Sequence, residues 1–389
     1  MAPLRVAFIG LSRSSGSSWG SSAHLPYLLA HPTKYSITAL LNSSVESAKK
    51  AIQDYDLSPS TKAYGSPEEL AKDSDIDVVV CSVRVDKHGQ ALMPILRSPS
   101  FKGKTVYSEW PLSRDLAEAR EMLDAAEANG MKHVVALQAR ASPVVRKVKE
   151  VIESGKMGKV LSSVWTGAAF NGGGREMESM RYFQDRSVGG NLMTIHGGHT
   201  LDSVLFALGA EFDSYNVILG NQRPETQIVN KATGEVVDTV IKDTHDTIFI
   251  HGRLLNGVLL SYNLRGNKPF PSAEGPGLLW RVNGEKGEIQ VTASGAMLNV
   301  GGYDDIVIKV FDFASEKVEI IAWEDEFKEL PAPARNIGRQ YESIYSRGDL
   351  GIVDWKQAVE RHAHIEEMYA RQAEDKEGHG EKARYTNVM

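Results

Sequence analysis

Two histidines, His196 and His199, stand three apart in the glycine-rich segment GGNLMTIHGGHTLD. Imidazole titrates near neutral pH, so such a pair suits the handling of a proton at a reacting carbon. The segment opens a helix, which lets both rings face one cleft, and Asp202 follows His199 at helical spacing. Tyr107, Gln138, Arg140, Asn171, Arg181 and Tyr182 are further polar groups a cleft could use. Each has a plainer reading as well. Either histidine can be a packed helix-start residue, and Arg140 can orient a substrate or close a structural ion pair. A metal site is not expected, because the two histidines lack a third ligand at suitable spacing. Cys81 is the single cysteine and lies in the run Val78-Val79-Val80-Cys81, so a buried thiol is expected and a disulfide framework is excluded.

A second constellation sits at the N-terminus. Arg5 to Ile9 reads as a strand that ends in Gly10, and the loop Gly10-Leu11-Ser12-Arg13-Ser14-Ser15-Gly16-Ser17-Ser18-Trp19-Gly20 follows. A glycine turn leading into a helix N-terminus is how a dinucleotide pyrophosphate is held. This loop is longer and richer in serine than the compact G-x-G-x-x-G pattern, but hydroxyls and backbone amides can cradle phosphate, and Arg13 adds charge. The second strand ends at Leu41, where a ribose-binding carboxylate would follow, yet the residues are Asn42-Ser43-Ser44. Without a carboxylate the site does not repel a 2′-phosphate, so NADP is expected in preference to NAD. Lys49 and Lys50 lie close enough in sequence to assist.

These residues need a scaffold. Strand-like RVAFI, YSITALL, IDVVVC, TVYSEW and HVVALQ alternate with helical VESAKKAIQDY, SPEELAKD and LAEAREMLDAAEANG. The strands are nearly continuous apolar runs, as in a doubly wound parallel sheet covered on both faces. Ser66 is placed to cap a helix, with Glu69 three residues on. Beyond about residue 145 the rhythm changes to DTIFIHGRL, VLLSYNLRG, LLWRVNG, EIQVTA, MLNVGG and IVIKVFDF, read as one open antiparallel sheet. A last helix, DWKQAVERHAHIEEMYAR, carries the stripe Trp355, Ala358, Val359, His362, Ile365 and Met368. The expected architecture is α/β: an N-terminal Rossmann domain over 1–143 and an α+β substrate or dimerisation domain over 144–376. The helix near 354–371 is expected to pack back on the first domain, and 377–389 to form a mobile tail.

Bulk properties narrow the class. At 389 residues the chain exceeds what one core usually organises, and 42% hydrophobic with 24% charged residues is ordinary for a globular protein. A net charge of −6 argues against direct nucleic-acid binding. No apolar run approaches the roughly 20 residues that span a bilayer, and MAPLRVAFIG does not read as a signal peptide, so a cytoplasmic protein without membrane contact is expected.

The order of RVAFIG, YSITALLN, DVVVCSVRVDKH, YSEWPL, VALQARASP and GGNLMTIHGGHTLD resembles the glucose–fructose oxidoreductase and inositol dehydrogenase family. Within it, the loop with Trp19, the triplet Glu109-Trp110-Pro111, Leu137-Gln138-Ala139-Arg140 and Gly198-His199-Thr200 are similar to the branch of the fungal galactose-regulon repressor. The resemblance implies a Rossmann domain followed by an α+β domain whose open sheet often forms a homodimer. It places Val83, His88, Glu109, Trp110 and Gln138 near the cofactor, with Gly10, Ser12, Arg13, Ser14, Trp19, Asn42, Ser43 and Ser44 around its phosphates and ribose. Trp110 could stack on the nicotinamide, close a pocket, or simply fill the core. Family enzymes use a lysine in a Glu-Lys-Pro triplet and a histidine four residues after an aspartate. Here the triplet carries Trp110, and the position four before His199 is Ile195. Two functions from different classes follow. One is an NAD(P)-dependent oxidoreductase acting on a small polyol, sugar or cyclic alcohol, carbonyl or imine, with His199 or His196 as acid/base and Tyr182 or Arg140 orienting the substrate. The other is a catalytically silent regulator that senses NAD(P) and binds a protein partner.

Overall fold

A computed structural model describes residues 2–13, 18–271, 273–300, 305–348 and 352–380. Its first half alternates strand and helix: β1 (Leu4–Ile9), α1 (Leu25–Ala30), β2 (Tyr35–Leu41), α2 (Val45–Asp54), β3 (Lys62–Tyr64), α3 (Pro67–Leu70), β4 (Val78–Cys81), α4 (His88–Leu96), β5 (Thr105–Glu109), α5 (Leu116–Ala128) and β6 (Lys132–Ala136). All five pairings in this sheet are parallel, in the order β3-β2-β1-β4-β5-β6. Val78, Val79, Val80 and Cys81 of β4 are fully enclosed because helices cover both faces, and burial pushes the Cys81 thiol up to about 12. Ser66 caps α3 by accepting the Glu69 N–H at 3.2 Å, as the sequence indicated. The strand order reverses between β1 and β4, and at such a switch point a parallel sheet offers a ligand crevice beyond the strands' C-terminal ends, where Gly10 and Val83 follow.

The second half comprises α6 (Pro143–Glu153), β7 (Val160–Ala168), β8 (Arg175–Met177), α7 (Gly198–Leu208), β9 (Phe212–Gly220), β10 (Glu225–Val229), β11 (Val236–Ile241), β12 (Thr247–Leu254), β13 (Leu259–Arg265), β14 (Leu278–Gly284), β15 (Gly287–Ala293), β16 (Val307–Asp312), β17 (Lys317–Ile321), α8 (Ala332–Ser346) and α9 (Trp355–Gly380). Eight strands form a sheet in the order β17-β16-β15-β14-β7-β13-β12-β9. Its register lines up Val217, Ile250, Tyr262, Trp165, Trp280, Val291 and Ile308 across seven strands on the covered face. Every one of them is buried, and the Trp165 and Tyr262 rings stack at 4.7 Å.

Three expectations are corrected. The large sheet is not wholly antiparallel, since β13 runs parallel to β7, and β8, β10 and β11 form a separate three-stranded sheet. Met297 to Val300 forms a turn rather than a strand, with Val300 N donating to Met297 O at 3.0 Å. The last helix runs on to Gly380, past the start expected for a mobile tail.

Both C-terminal helices return to the first domain. α9 packs along α5, and Trp355 Nε1 donates to Val134 O at 3.0 Å. All six residues of its expected stripe face inward, with Trp355, Ala358, His362, Ile365 and Met368 buried and Val359 packed at the edge. α8, which the sequence reading passed over, stacks Tyr341 on Tyr27 at 5.3 Å between ring centroids. Among the described residues no helix is long and apolar enough to cross a membrane.

Candidate functional site

The crevice begins at Gly10, whose φ of +94° suits glycine. A Cβ here would lie 2.5 Å from Val83 Cγ1 and 2.7 Å from Ser82 O, so the first turn after β1 needs glycine for close approach as well. Asn42 holds this turn from the side, its Nδ2 donating to Leu11 O at 2.9 Å and Ser47 O at 3.3 Å. Ser44 caps α2 by accepting the Ser47 N–H, while Ser43 stands exposed. Of the three polar residues expected at a ribose, two therefore shape the backbone and one is open. The Arg13 guanidinium lies over the Tyr55 ring, 5.0 Å from its centroid, and Lys50 pairs with Asp54. Ser12 follows the turn; Ser14 lies outside the described residues.

Two buried amphiphilic groups in this region have no partner among the described residues. Trp19 Nε1 is enclosed, and so are both polar atoms of the Gln138 amide, just after β6. An unpaired buried polar group costs about 1–3 kcal/mol, so these atoms mark where a ligand or water belongs. His88 is different. Its Nδ1 faces Leu112 O at 3.0 Å and its Nε2 faces Val83 O at 3.1 Å, so the ring bridges two backbone carbonyls and offers a cofactor no free nitrogen.

At the end of β5 the structure reveals a network that the sequence reading missed. His24 Nε2 donates to Glu109 Oε1 at 2.5 Å, and His24 Nδ1 meets the Tyr341 hydroxyl at 2.7 Å. Beside them Tyr107 donates to Gln340 Oε1 at 2.5 Å, which makes Tyr107 a core residue. A histidine directly after the glycine loop was the available signal, but its partners come from β5 and from α8, far away in the chain.

His196 and His199 are brought together at the start of α7. Asn191 accepts from Met193 N and Thr194 N, Thr194 accepts from Asn191 N, and this box starts a π-helical turn over Leu192–Gly197. The turn sets His196 half-buried against Phe183, with rings 5.5 Å apart, and His199 nearly fully buried. Desolvation pushes His196 down to about 4. It pushes His199 to about 3, assisted by His196 and opposed by Asp202. Both rings are thus neutral at pH 7, and Nδ1 of each is enclosed without a partner among the described residues. Nε2 of His196 lies 3.3 Å from Asn171 Oδ1. Asn171 Nδ2 donates to Glu176 Oε2 at 3.1 Å, and burial raises the Glu176 carboxyl while N–H donors oppose it.

Trp110 forms the wall behind the pair. Only 4% exposed, it donates its N–H to Thr194 O at 2.8 Å and packs on His362 at 4.8 Å. A Cβ on Gly198 would lie 2.4 Å from Trp110 Nε1, so this indole and α7 fit only through a glycine. Of the roles considered for Trp110, the core one matches its contacts.

Arg140 forms an ion pair. It grips Asp202 with two bonds of 2.6 and 2.8 Å, and Arg361 adds a third at 3.3 Å while reaching Glu211 at 2.9 Å. Asp202 is therefore committed to arginines rather than to His199. Arg181 is exposed and pairs with Asp238. Tyr182 is partly buried beside Phe183, with the Arg84 guanidinium 5.8 Å from its ring centroid.

Residues 4–137 match the family described as oxidoreductase family, NAD-binding Rossmann fold, and residues 143–293 match the Gal80p C-terminal domain. The chain is 30% identical over 296 residues to the galactose/lactose metabolism regulatory protein GAL80 of Saccharomyces cerevisiae, covering 75% of this chain and 67% of that protein. It is 29% identical over 369 residues to dehydrogenase aclE of Aspergillus oryzae, covering 93% and 94%. A solved Gal80p super-repressor mutant from Saccharomyces cerevisiae superposes with a TM-score of 0.86 at 26% identity, over 96% of this chain and 97% of that one.

Proposed function

This chain belongs to the glucose–fructose oxidoreductase and inositol dehydrogenase family, with a Gal80-like second domain, and from that premise we propose that it is a nicotinamide-dependent oxidoreductase acting on a small polyol, sugar or cyclic metabolite alcohol, carbonyl or imine. The observation that carries this reading is the pair of neutral imidazoles, His196 and His199, at the start of α7, which packs against the turn carrying the unpartnered Gln138 amide. Similarity to a dehydrogenase over nearly the full length of both chains supports it.

The residues present fit a dinucleotide. Gly10 supplies the positive-φ turn after β1 that such a site uses, and the Gln138 amide and Trp19 N–H supply unused polar atoms. NADP is the preferred form, because β2 ends without a carboxylate and the exposed Ser43 stands at the N-terminus of α2. Bound there, the nicotinamide supplies or takes up a hydride. His196 or His199 holds the balancing proton at a ring nitrogen, Tyr182 orients the substrate, and the packed Trp110 excludes water from behind. The outer face of the large sheet exposes Val164, Ile218 and Phe249, which supports a homodimer formed through that face.

The second reading is a silent, cofactor-sensing regulator with a protein partner. Trp110 favours it, since this buried indole stands where family enzymes carry a lysine. Titration with NADPH and NADH, followed by Trp fluorescence and then by a panel of carbonyl and imine compounds, separates the two. Tighter NADPH binding with cofactor oxidation is expected; binding without turnover across the panel overturns the enzyme reading in favour of the regulator.

A further inference from the structure

The glycine-rich segment lacks the carboxylate that would orient a catalytic imidazole from within α7. Asp202 does not replace it, being held by Arg140 and Arg361. A different carboxylate reaches the pair from β8. Glu176 is 4% exposed and receives the Gly172 N–H at 2.5 Å and Asn171 Nδ2 at 3.1 Å. A carboxylate can only accept, so Asn171 must turn its NH₂ toward Glu176 and its carbonyl oxygen toward His196. That oxygen also only accepts, so the His196 nitrogen 3.3 Å away must be the one carrying hydrogen.

We propose that Glu176 and Asn171 form a positioning relay that fixes His196 as the Nε2–H tautomer and leaves its Nδ1 lone pair as the proton acceptor. The relay supplies, through an intervening amide, the carboxylate missing at Ile195. When Nδ1 takes a proton from a substrate hydroxyl, the resulting imidazolium keeps its Nε2–H on Asn171 Oδ1, and Glu176 polarises that amide in the favourable sense. Nδ1 has no hydrogen-bond partner among the described residues, so its lone pair is not committed within the protein. The role of His196 in turnover rests on the oxidoreductase reading; the tautomer itself does not.

The test is long-range proton–nitrogen correlation spectroscopy of the histidine rings at neutral pH, on isotope-labelled full-length protein without cofactor or substrate, with His196 assigned through a His196→Gln variant. The Nε2–H pattern is expected for His196 in the unaltered protein. Asn171→Leu should yield a mixture of tautomers, and Asn171→Asp, which keeps an acceptor in place, should retain Nε2–H. Glu176→Gln frees the Asn171 amide to turn over and should also yield a mixture, so the relay remains testable if one variant does not fold. An Nδ1–H pattern in the unaltered protein overturns the proposal, as does an unchanged Nε2–H pattern in both Asn171→Leu and Glu176→Gln. Where a substrate is turned over, Asn171→Leu should lower kcat by about 10-fold or more with KM little changed, and Asn171→Asp should recover part of it. Absence of turnover with the expected tautomers would count against the oxidoreductase reading alone.

Discussion

His24 Nε2 lies 2.5 Å from Glu109 Oε1, which joins the first helical turn after the glycine loop to the end of β5. The other ring nitrogen meets Tyr341 of α8, so one imidazole clamps three elements that are remote in sequence. His24→Ala leaves Glu109 and Tyr341 without their buried partner and should destabilise the fold by about 3 kcal/mol or more. Tyr341→Phe, which deletes only the hydroxyl, should cost about 1 kcal/mol. Urea denaturation of both variants checks this; equal stabilities would mean that the ring nitrogens contribute nothing beyond packing.

Gly198 packs against Trp110 where α7 meets the first domain. Gly198→Ala places a methyl 2.4 Å from Trp110 Nε1 and must push the indole or the helix aside. Overpacking of this kind should cost about 1–3 kcal/mol. It should also alter the environment of His199, the next residue, which proton spectra of the ring would show. An unshifted His199 signal with full stability would count against so close a fit.

The Asp202 ion pairs give the fold a defined response to acid. Burial alone raises this carboxyl, but Arg140 and Arg361 more than offset it and hold it below the usual carboxylate range. Since the folded value is depressed, its contribution is fully present above the unfolded value, about 3.9, and is lost as pH falls through the folded one. Asp202→Asn leaves Arg140 and Arg361 without their central partner and should cost about 3–5 kcal/mol near neutrality. The difference from the unaltered protein should shrink at low pH, measured by denaturation across the acid range.

Three desolvated histidines act in a higher window. Desolvation lowers His196 to about 4, His199 to about 3 and His362 to about 4. The unfolded chain binds these protons near pH 6.5 while the folded protein resists them. Stability should therefore be full above about pH 6.5 and fall as pH drops toward 4, by up to about 1.4 kcal/mol per pH unit for each histidine. His362→Gln should flatten this slope. A stability curve level between these limits would contradict neutral, buried rings.

His196 and His199 are distinguished by access, one half-buried and the other 5% exposed. If either carries the proton, its alanine variant should lose about 10²-fold or more in kcat with cofactor affinity little changed. The relay through Asn171 makes His196→Ala the more damaging of the two. Steady-state kinetics of both variants decides the assignment, and equal turnover in both would move the role to Tyr182.

Much of the scaffold was legible in the residues. Val78 to Cys81 had to be a strand covered on both faces, and the stripe from Trp355 to Met368 had to lie against something apolar. Such patterns express local chain geometry, so periodicity alone reveals them. The extra parallel pairing of β13 with β7 and the turn at Met297 were not legible, because strand pairing depends on which neighbours the rest of the chain provides. The same distinction runs through the site. Gly10, His196 and His199 stood out by type and spacing, whereas the commitments of Arg140, His88 and Trp110 did not.

The sequence by itself determined which chemical groups are available: a glycine turn after the first strand, two histidines three apart, no carboxylate at Ile195 and no lysine at position 110. Tertiary structure decided what each group can do. It gave Asp202 to two arginines, closed His24 between Glu109 and Tyr341, and brought Glu176 through Asn171 to His196. The physical reason is that a titratable group takes its protonation and orientation from its partners and its burial, and those are set by contacts between segments that spacing along the chain does not encode.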